Sequence, residues 1–171
     1  MSSALQPLHD EHRDLRPRIE EMRRGADRIG SVPHDELVAI VDDVHEFLDQ
    51  HLLPHAMVEE RVLYPVVARI LGAPRATATM SRDHGAVAEL ARELAALRRE
   101  LMVREVDTDL LLALRRVLYG LYQLVEVHFS KEEEVFVPIL EEGLTREEAE
   151  RLVADMHDAA RSVRGARSHV A

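Results

Sequence analysis

The chain has no cysteine. Disulfides, thiolate catalysis and thiolate metal sites are therefore all excluded. Glycine and proline are scarce, at seven each, and aromatic residues make up 4%. That is too few for the turns and pleated faces of a sandwich or barrel, and it suits an all-helical protein. No run of about eighteen apolar residues occurs, and the first residues lack a charged-then-apolar leader pattern. A cytoplasmic location and no membrane partner are expected. Positive charge is in the minority: 22 Lys and Arg stand against 32 Asp and Glu, a net charge of −10. With no strong basic patch, non-specific phosphate binding is disfavoured and no nucleic-acid partner is expected.

What is present is a globular composition, 46% hydrophobic and 32% charged over 171 residues. One domain spanning 1–171, with a substantial core, is the expectation. Leu, Ala, Glu and Arg dominate, and all are good helix formers. Ten histidines are many for this length, and their placement decides what they mean.

Apolar residues recur at alternating threes and fours, the mark of helices that each bury one seam. The first stripe, over about 5–29, holds Leu8, Leu15, Ile19, Met22 and Ala26, with His12 in a place the pattern assigns to the core. Pro17 predicts a kink near Arg13. Gly30 and Pro33 end this helix. The second stripe, about 34–70, runs Leu37, Val41, Val44, Leu48 and Leu52, then His55 and Glu59, then Val62 and Val66. Pro54 and Pro65 are expected to bend or interrupt it. The third, about 76–102, carries Met80, His84, Val87, Ala91 and Leu94. The fourth, about 108–141, is capped by Asp107 or Thr108 and carries Leu114, Val117, Leu121, His128, Glu132, Val135 and Ile139. Thr145 and Glu148 form a capping box that opens a fifth helix, about 145–164, with Leu152, Met156 and Ala160 on one face. Residues from Gly165 on are expected to fray. The expected fold is all-α, an antiparallel up-down four-helix bundle with an additional C-terminal helix.

The polar members of these seams repeat. His12 is followed after 43 residues by His55, with Glu59 four further on; His84 is followed after 44 by His128, with Glu132 four further on. A histidine and a glutamate four apart share one helical face, about 6 Å apart along the axis. In antiparallel neighbours the ligands meet only at equal distance from the turn. His12 lies 18 residues before Gly30 and His55 21 after His34; His84 lies 19 before Val103 and His128 21 after Asp107. At 1.5 Å per residue these mismatches are only about 3–5 Å. The middle connection fits less well, His55 being 17 before Gly72 and His84 only 8 after Ala76. Part of 66–76 should therefore leave the straight bundle path.

Four imidazoles and two carboxylates suit a first-row metal such as iron, manganese or zinc. Carboxylate-bridged metal pairs inside helical bundles are an established arrangement. Two carboxylates in a core seam would cost several kcal/mol without compensating charge, and the facing seam positions offer no arginine. A lone histidine on an apolar face is ordinarily a packed core residue, and a lone histidine–glutamate pair is common on solvated faces. Two copies at matched intervals and heights, all on seams, point instead to a two-metal site of His12, His55, Glu59, His84, His128 and Glu132. Glu60 and Glu133 are expected to back the ligands or face solvent. His9, His34, His45, His51, His157 and His169 are expected at the surface or its boundary. The arginine-rich stretches 13–18 and 98–104 are expected to be solvated and paired with acids.

At the texts "DEHRDL", "LLPHAMVEERVLYP", "SRDHGAV" and "EVHFSKEEEVFVP" the chain resembles the hemerythrin-like family, the histidine–histidine–glutamate cation-binding domains. The resemblance covers about 5–141. It implies a non-heme di-iron centre, with iron ahead of manganese or zinc, bridged by two carboxylates and an oxo or hydroxo group. His12 and His55 would serve one iron, His84 and His128 the other, and Glu59 and Glu132 would bridge. The oxygen-carrying members have a further histidine where this chain has Ala88, and an aspartate five after its histidine where this chain has Glu132 at four. The missing ligand leaves one iron open or recruits a water, a glutamate or one of Tyr64, Tyr119 and Tyr122. The leading expectation is a protein that binds and reacts with dioxygen or peroxide, with catalase-like detoxification as one form. The alternative is a module that senses or binds oxygen, nitric oxide or iron, or that stores or donates iron, without turnover. A monomer or weak dimer is expected.

Overall fold

A computed structural model describes residues 3–167. Those described residues contain no strand. Four helical arms form the bundle. The first is α1 (Gln6–Arg28). The second covers 34–70 as α2 (His34–Phe47), α3 (Leu53–Val58) and α4 (Tyr64–Ile70), joined by wide π-turns at Leu48–Leu52 and Glu59–Leu63. The third is α5 (Ala78–Val103). The fourth is α6 (Thr108–Lys131), a π-turn at Glu132–Phe136, and α7 (Val137–Gly143). The fifth helix is α8 (Arg146–Arg167). Helix α1 packs on α2 and α6, and α5 packs on the same two, which closes the four-membered ring. Helix α8 lies against α3 and the π-turn after it.

Local signals account for most boundaries. Gly30 ends the first hairpin at φ 88° and Gly72 breaks the second arm at φ 61°, backbone that other residues rarely adopt. The chain leaves the helical path from Leu71 on, where the height mismatch required it. The Asp107 carboxylate accepts from the Leu110 N–H at 2.8 Å. Thr145 and Glu148 close their capping box through the Thr145 N–H at 2.8 Å and the Glu148 N–H at 3.3 Å. Helix α8 extends to Arg167, so Gly165 is helical rather than frayed; the residues after it, His169 among them, lie outside the described ones.

Two departures from strict periodicity matter. The second arm is not broken at Pro54 and Pro65; it widens just before each. The fourth arm, expected to run evenly from 108 to 141, widens before Pro138. The π-turns that start at Glu59 and Glu132 each insert one extra residue, and past them the buried stripe slips by one. Beyond Glu59 the buried positions are Leu63, Tyr64 and Val67, with Val62 and Val66 half-buried at the edge of the same cluster. Beyond Glu132 it takes Phe136, Val137 and Leu140, while Val135 is 49% exposed. Burying each such side chain is worth about 1.5–3 kcal/mol, enough to outweigh the poorer hydrogen bonds of a wide turn. Helix α1 runs unbroken through Pro17.

The apolar side chains form two clusters. The larger gathers Ile19, Met22, Val41, Leu94, Leu114, Leu121 and Phe129 from all four arms. The smaller joins Leu8, Leu63, Tyr64, Val67, Phe136 and Leu140 to Leu152, Met156 and Val163 of α8. His12, His55, Glu59, His128 and Glu132, all buried, occupy the level between them.

Candidate metal centre

The six side chains singled out by their spacing converge. Each carboxylate turns one oxygen to each histidine pair. Glu59 places Oε1 3.0 Å from His55 Nε2 and 3.7 Å from His12 Nε2, and Oε2 3.2 Å from His84 Nε2. Glu132 places Oε2 3.4 Å from His12 Nε2 and Oε1 3.4 Å from His128 Nε2. His84 Nε2 and His128 Nε2 face each other at 3.0 Å. All four imidazoles thus present Nε2 to the interior.

Every Nδ1 meets a carboxylate on the other side of its ring. His12 Nδ1 lies 2.7 Å from Glu133, His55 Nδ1 3.0 Å from Glu11, His84 Nδ1 2.9 Å from Glu60, and His128 Nδ1 3.3 Å from Asp83. Such partners place the ring proton on Nδ1 and leave the Nε2 lone pair free to bind. The pattern has a two-fold logic. The acid just before the first histidine of each half (Glu11, Asp83) backs the second histidine of that half. The acid just after each core glutamate (Glu60, Glu133) backs the first histidine of the other half. Glu60 and Glu133 thus hold ligands from behind. The sequence pattern does not single out Glu11 and Asp83, because the histidine each one backs is not the one it stands beside. Glu133 also bonds His9, and Asp83 also accepts from Lys131 at 2.6 Å. His9 is therefore part of the support rather than an idle boundary residue.

Among the three tyrosines, Tyr64 alone reaches the cluster. Its hydroxyl donates to Glu132 Oε1 at 2.7 Å and lies 3.3 Å from both His84 Nε2 and His128 Nε2. Burial, followed by the charges of Glu59 and Glu132, keeps that phenol protonated by raising its pKa. Tyr119 instead donates to Asp27 on the exposed side, and Tyr122 packs on the larger cluster.

Charge in the cluster is balanced by protons when no ion is bound. Burial opposes protonation of His12, yet the close carboxylates of Glu132 and Glu59 overcome it and lift its pKa to about 9. The same opposition is overcome at His55, chiefly by the Glu59 charge, and at His84, chiefly by the close Glu59 carboxylate. Burial pushes the Glu59 carboxyl up, but His55 and its neighbours hold it well below the usual range. Every ion-pair partner found for Glu59 and Glu132 among the described residues is a histidine. His55 Nε2, Glu59 Oε2 and Glu132 Oε2 are buried without an aligned hydrogen-bond partner. They are close to opposite charge but not oriented to bond it, as expected of lone pairs aimed at a shared cation. Two overlapping groups have the proximity to hold a metal ion: His12, His55, Glu59 and Glu132, and Glu59, His84 and His128.

A helical bundle with histidines and carboxylates converging in its core defines a metal-binding bundle protein. More specifically, the chain belongs to the hemerythrin HHE cation-binding domain family, whose model matches residues 3–118. The match takes in His12, His55, Glu59 and His84; His128 and Glu132 lie beyond it and are brought beside the others by the fold. No curated protein and no solved structure matches the chain.

Proposed function

We propose that the chain is a non-heme di-iron protein that binds and reacts with dioxygen or peroxide, catalase-like detoxification included. The observation that supports this reading is the division of each core carboxylate between two histidine pairs: Glu59 belongs to both candidate metal groups, and Glu132 turns one oxygen to His12 and the other to His128. His12 and His55 would hold one ion, His84 and His128 the other, with Glu59 and Glu132 between them. Bound iron supplies Lewis acidity and one-electron redox chemistry. The chain's own part is to orient four imidazoles through their backing acids, to keep bulk water from the carboxylates, and to offer the Tyr64 hydroxyl as a buried hydrogen-bond donor beside the His84–His128 pair. Tyr64 also stands where a further ligand would bind that ion.

Metal analysis of the aerobically purified protein is expected to find two irons per chain. His12→Ala and Glu132→Ala are expected to cut that occupancy sharply; full occupancy in both would sink the ligand assignment. Oxygen release from hydrogen peroxide is expected to exceed that of an equal amount of free iron. A rate no faster removes the catalytic part of the proposal.

A second reading, ligand sensing without turnover, is favoured by the contact of α8 with α3 and the Glu59 π-turn. A change at the site has a direct path to that helix. Ligand-dependent protease sensitivity of α8 with no peroxide consumption would support it over catalysis.

A further inference from the structure

Three prolines follow π-turns at one fixed offset. The N–H of the residue before each proline reaches back five positions: Leu53 to the Leu48 carbonyl, Tyr64 to Glu59, and Val137 to Glu132. Two of those three turns begin at a core carboxylate. An α-turn at that point would set the proline ring against the carbonyl four back, Arg61 for Pro65 and Glu134 for Pro138, and the proline has no N–H to offer it. Proline alone does not widen a helix, since α1 runs through Pro17. What Pro54, Pro65 and Pro138 add is a core-packed residue immediately before them: Leu53, half-buried against the larger cluster, and Tyr64 and Val137, both buried. In an α-helix a residue five positions on points about 140° away. The wider turn brings it back to nearly the same face. Tyr64 accordingly reaches Glu132 and stacks on His84 at 5.4 Å, although Glu59, five residues earlier, faces the same cluster.

We propose that Pro65 and Pro138 are positioning residues of the metal centre: each denies its arm the narrow turn and so holds the π-turn that starts at a core carboxylate, the first bringing Tyr64 onto the site and the second bringing Phe136 against the Tyr64 ring. Only the metal readout rests on the ligand assignment made above. The role is one of register, and it concerns the chain whether or not an ion is bound.

The test compares Pro65→Ala, Pro138→Ala and Pro17→Ala in two measurements. One is cobalt(II) affinity by titration. The other, on metal-free protein, is the nuclear Overhauser contact of the Tyr64 ring with His84 and with Phe136, whose rings lie 5.4 and 5.9 Å away. Pro65→Ala and Pro138→Ala are expected to weaken these ring contacts and to lower affinity about tenfold, the loss typical when support of a metal ligand is removed. Pro17→Ala is expected to change neither. A fourth variant combines Pro65→Ala with deletion of the exposed Arg61. It places the tyrosine four residues after Glu59, on the same face of an ordinary α-turn, and is expected to recover both signals. Wild-type signals in Pro65→Ala, or no recovery in the deletion variant, overturn the proposal. If wild-type protein binds no cobalt while the ring contacts still follow the prolines, the ligand assignment falls and the positioning role stands.

Discussion

At His12 two carboxylates compete with burial for control of one proton, and the carboxylates win. With its pKa lifted to about 9, and those of His55 and His84 also raised, the metal-free cluster holds protons where the loaded one would hold ions. The consequence for stability has a definite sign. These histidines contribute fully below their ordinary value of 6.5 and lose that contribution as pH climbs through the raised values. Glu59 does the reverse: its contribution is present above its ordinary 4.5 and is lost as pH falls through its depressed value. The thermal midpoint of chelator-treated protein is therefore expected to fall between pH 6.5 and about 9. Metal affinity is expected to rise across the same window, because binding must expel those protons. A metal-free midpoint that is flat in this range would refute the protonated belt. The backing acids act at the same scale. Glu133→Ala removes the acceptor of His12 Nδ1 and is expected to weaken metal binding about 10–100-fold with helicity kept. By the two-fold pattern, Asp83→Ala does the same through His128.

Elements show where a sequence can be read and where it slips. The seams of α1, α2, α5 and α6 are legible because a constant α-helical period holds through them; His128 and Glu132 lie before or at the start of the wide turn in their arm, and His55 and Glu59 stay on the seam although the turn at Leu48–Leu52 precedes them. Past Glu59 and Glu132 the period changes, and Val62, Val66, Val135 and Ile139 were assigned places that Leu63, Val67, Phe136 and Leu140 take. The signal was there in Pro65 and Pro138, each six residues after its glutamate, but a proline announces that something changes, not which register follows. Tyr64 was unrankable among three tyrosines for the same reason: its facing depends on that extra residue. Helix approach tests this scale independently. A methyl at Gly25 would meet Ile40 Cγ2 at 2.8 Å, where α1 and α2 close together. Gly25→Ala is expected to cost about 1–3 kcal/mol in denaturant unfolding, the usual penalty of overpacking. Removing the carboxylate that caps α6 is a gentler change, and Asp107→Ala is expected to cost about 1 kcal/mol.

Across the whole molecule, the polar level lies between two apolar clusters. Bound ions would tie the arms together at that level, so chelation of loaded protein is expected to lower the thermal midpoint, and by more in wild type than in His12→Ala. An unchanged midpoint on chelation would mean that the ions contribute nothing to the fold. Met156, from α8, is buried in the smaller cluster. Trimming it to Ala is expected to cost about 2–5 kcal/mol, and to loosen that end of the molecule first.

The separation of the clusters has a kinetic reading. A chain with two hydrophobic units on either side of a charged floor can open one while the other stays shut, as a foldon opens below the global limit. The smaller unit, with α8 as its outer wall, is the natural one to open. Its amides would exchange hydrogen sooner than those of the larger unit, and each opening would bare the floor to solvent from one side only. Ions could then enter or leave through a local melting event, with the release rate set by how often a helix lifts rather than by how tightly the ligands grip.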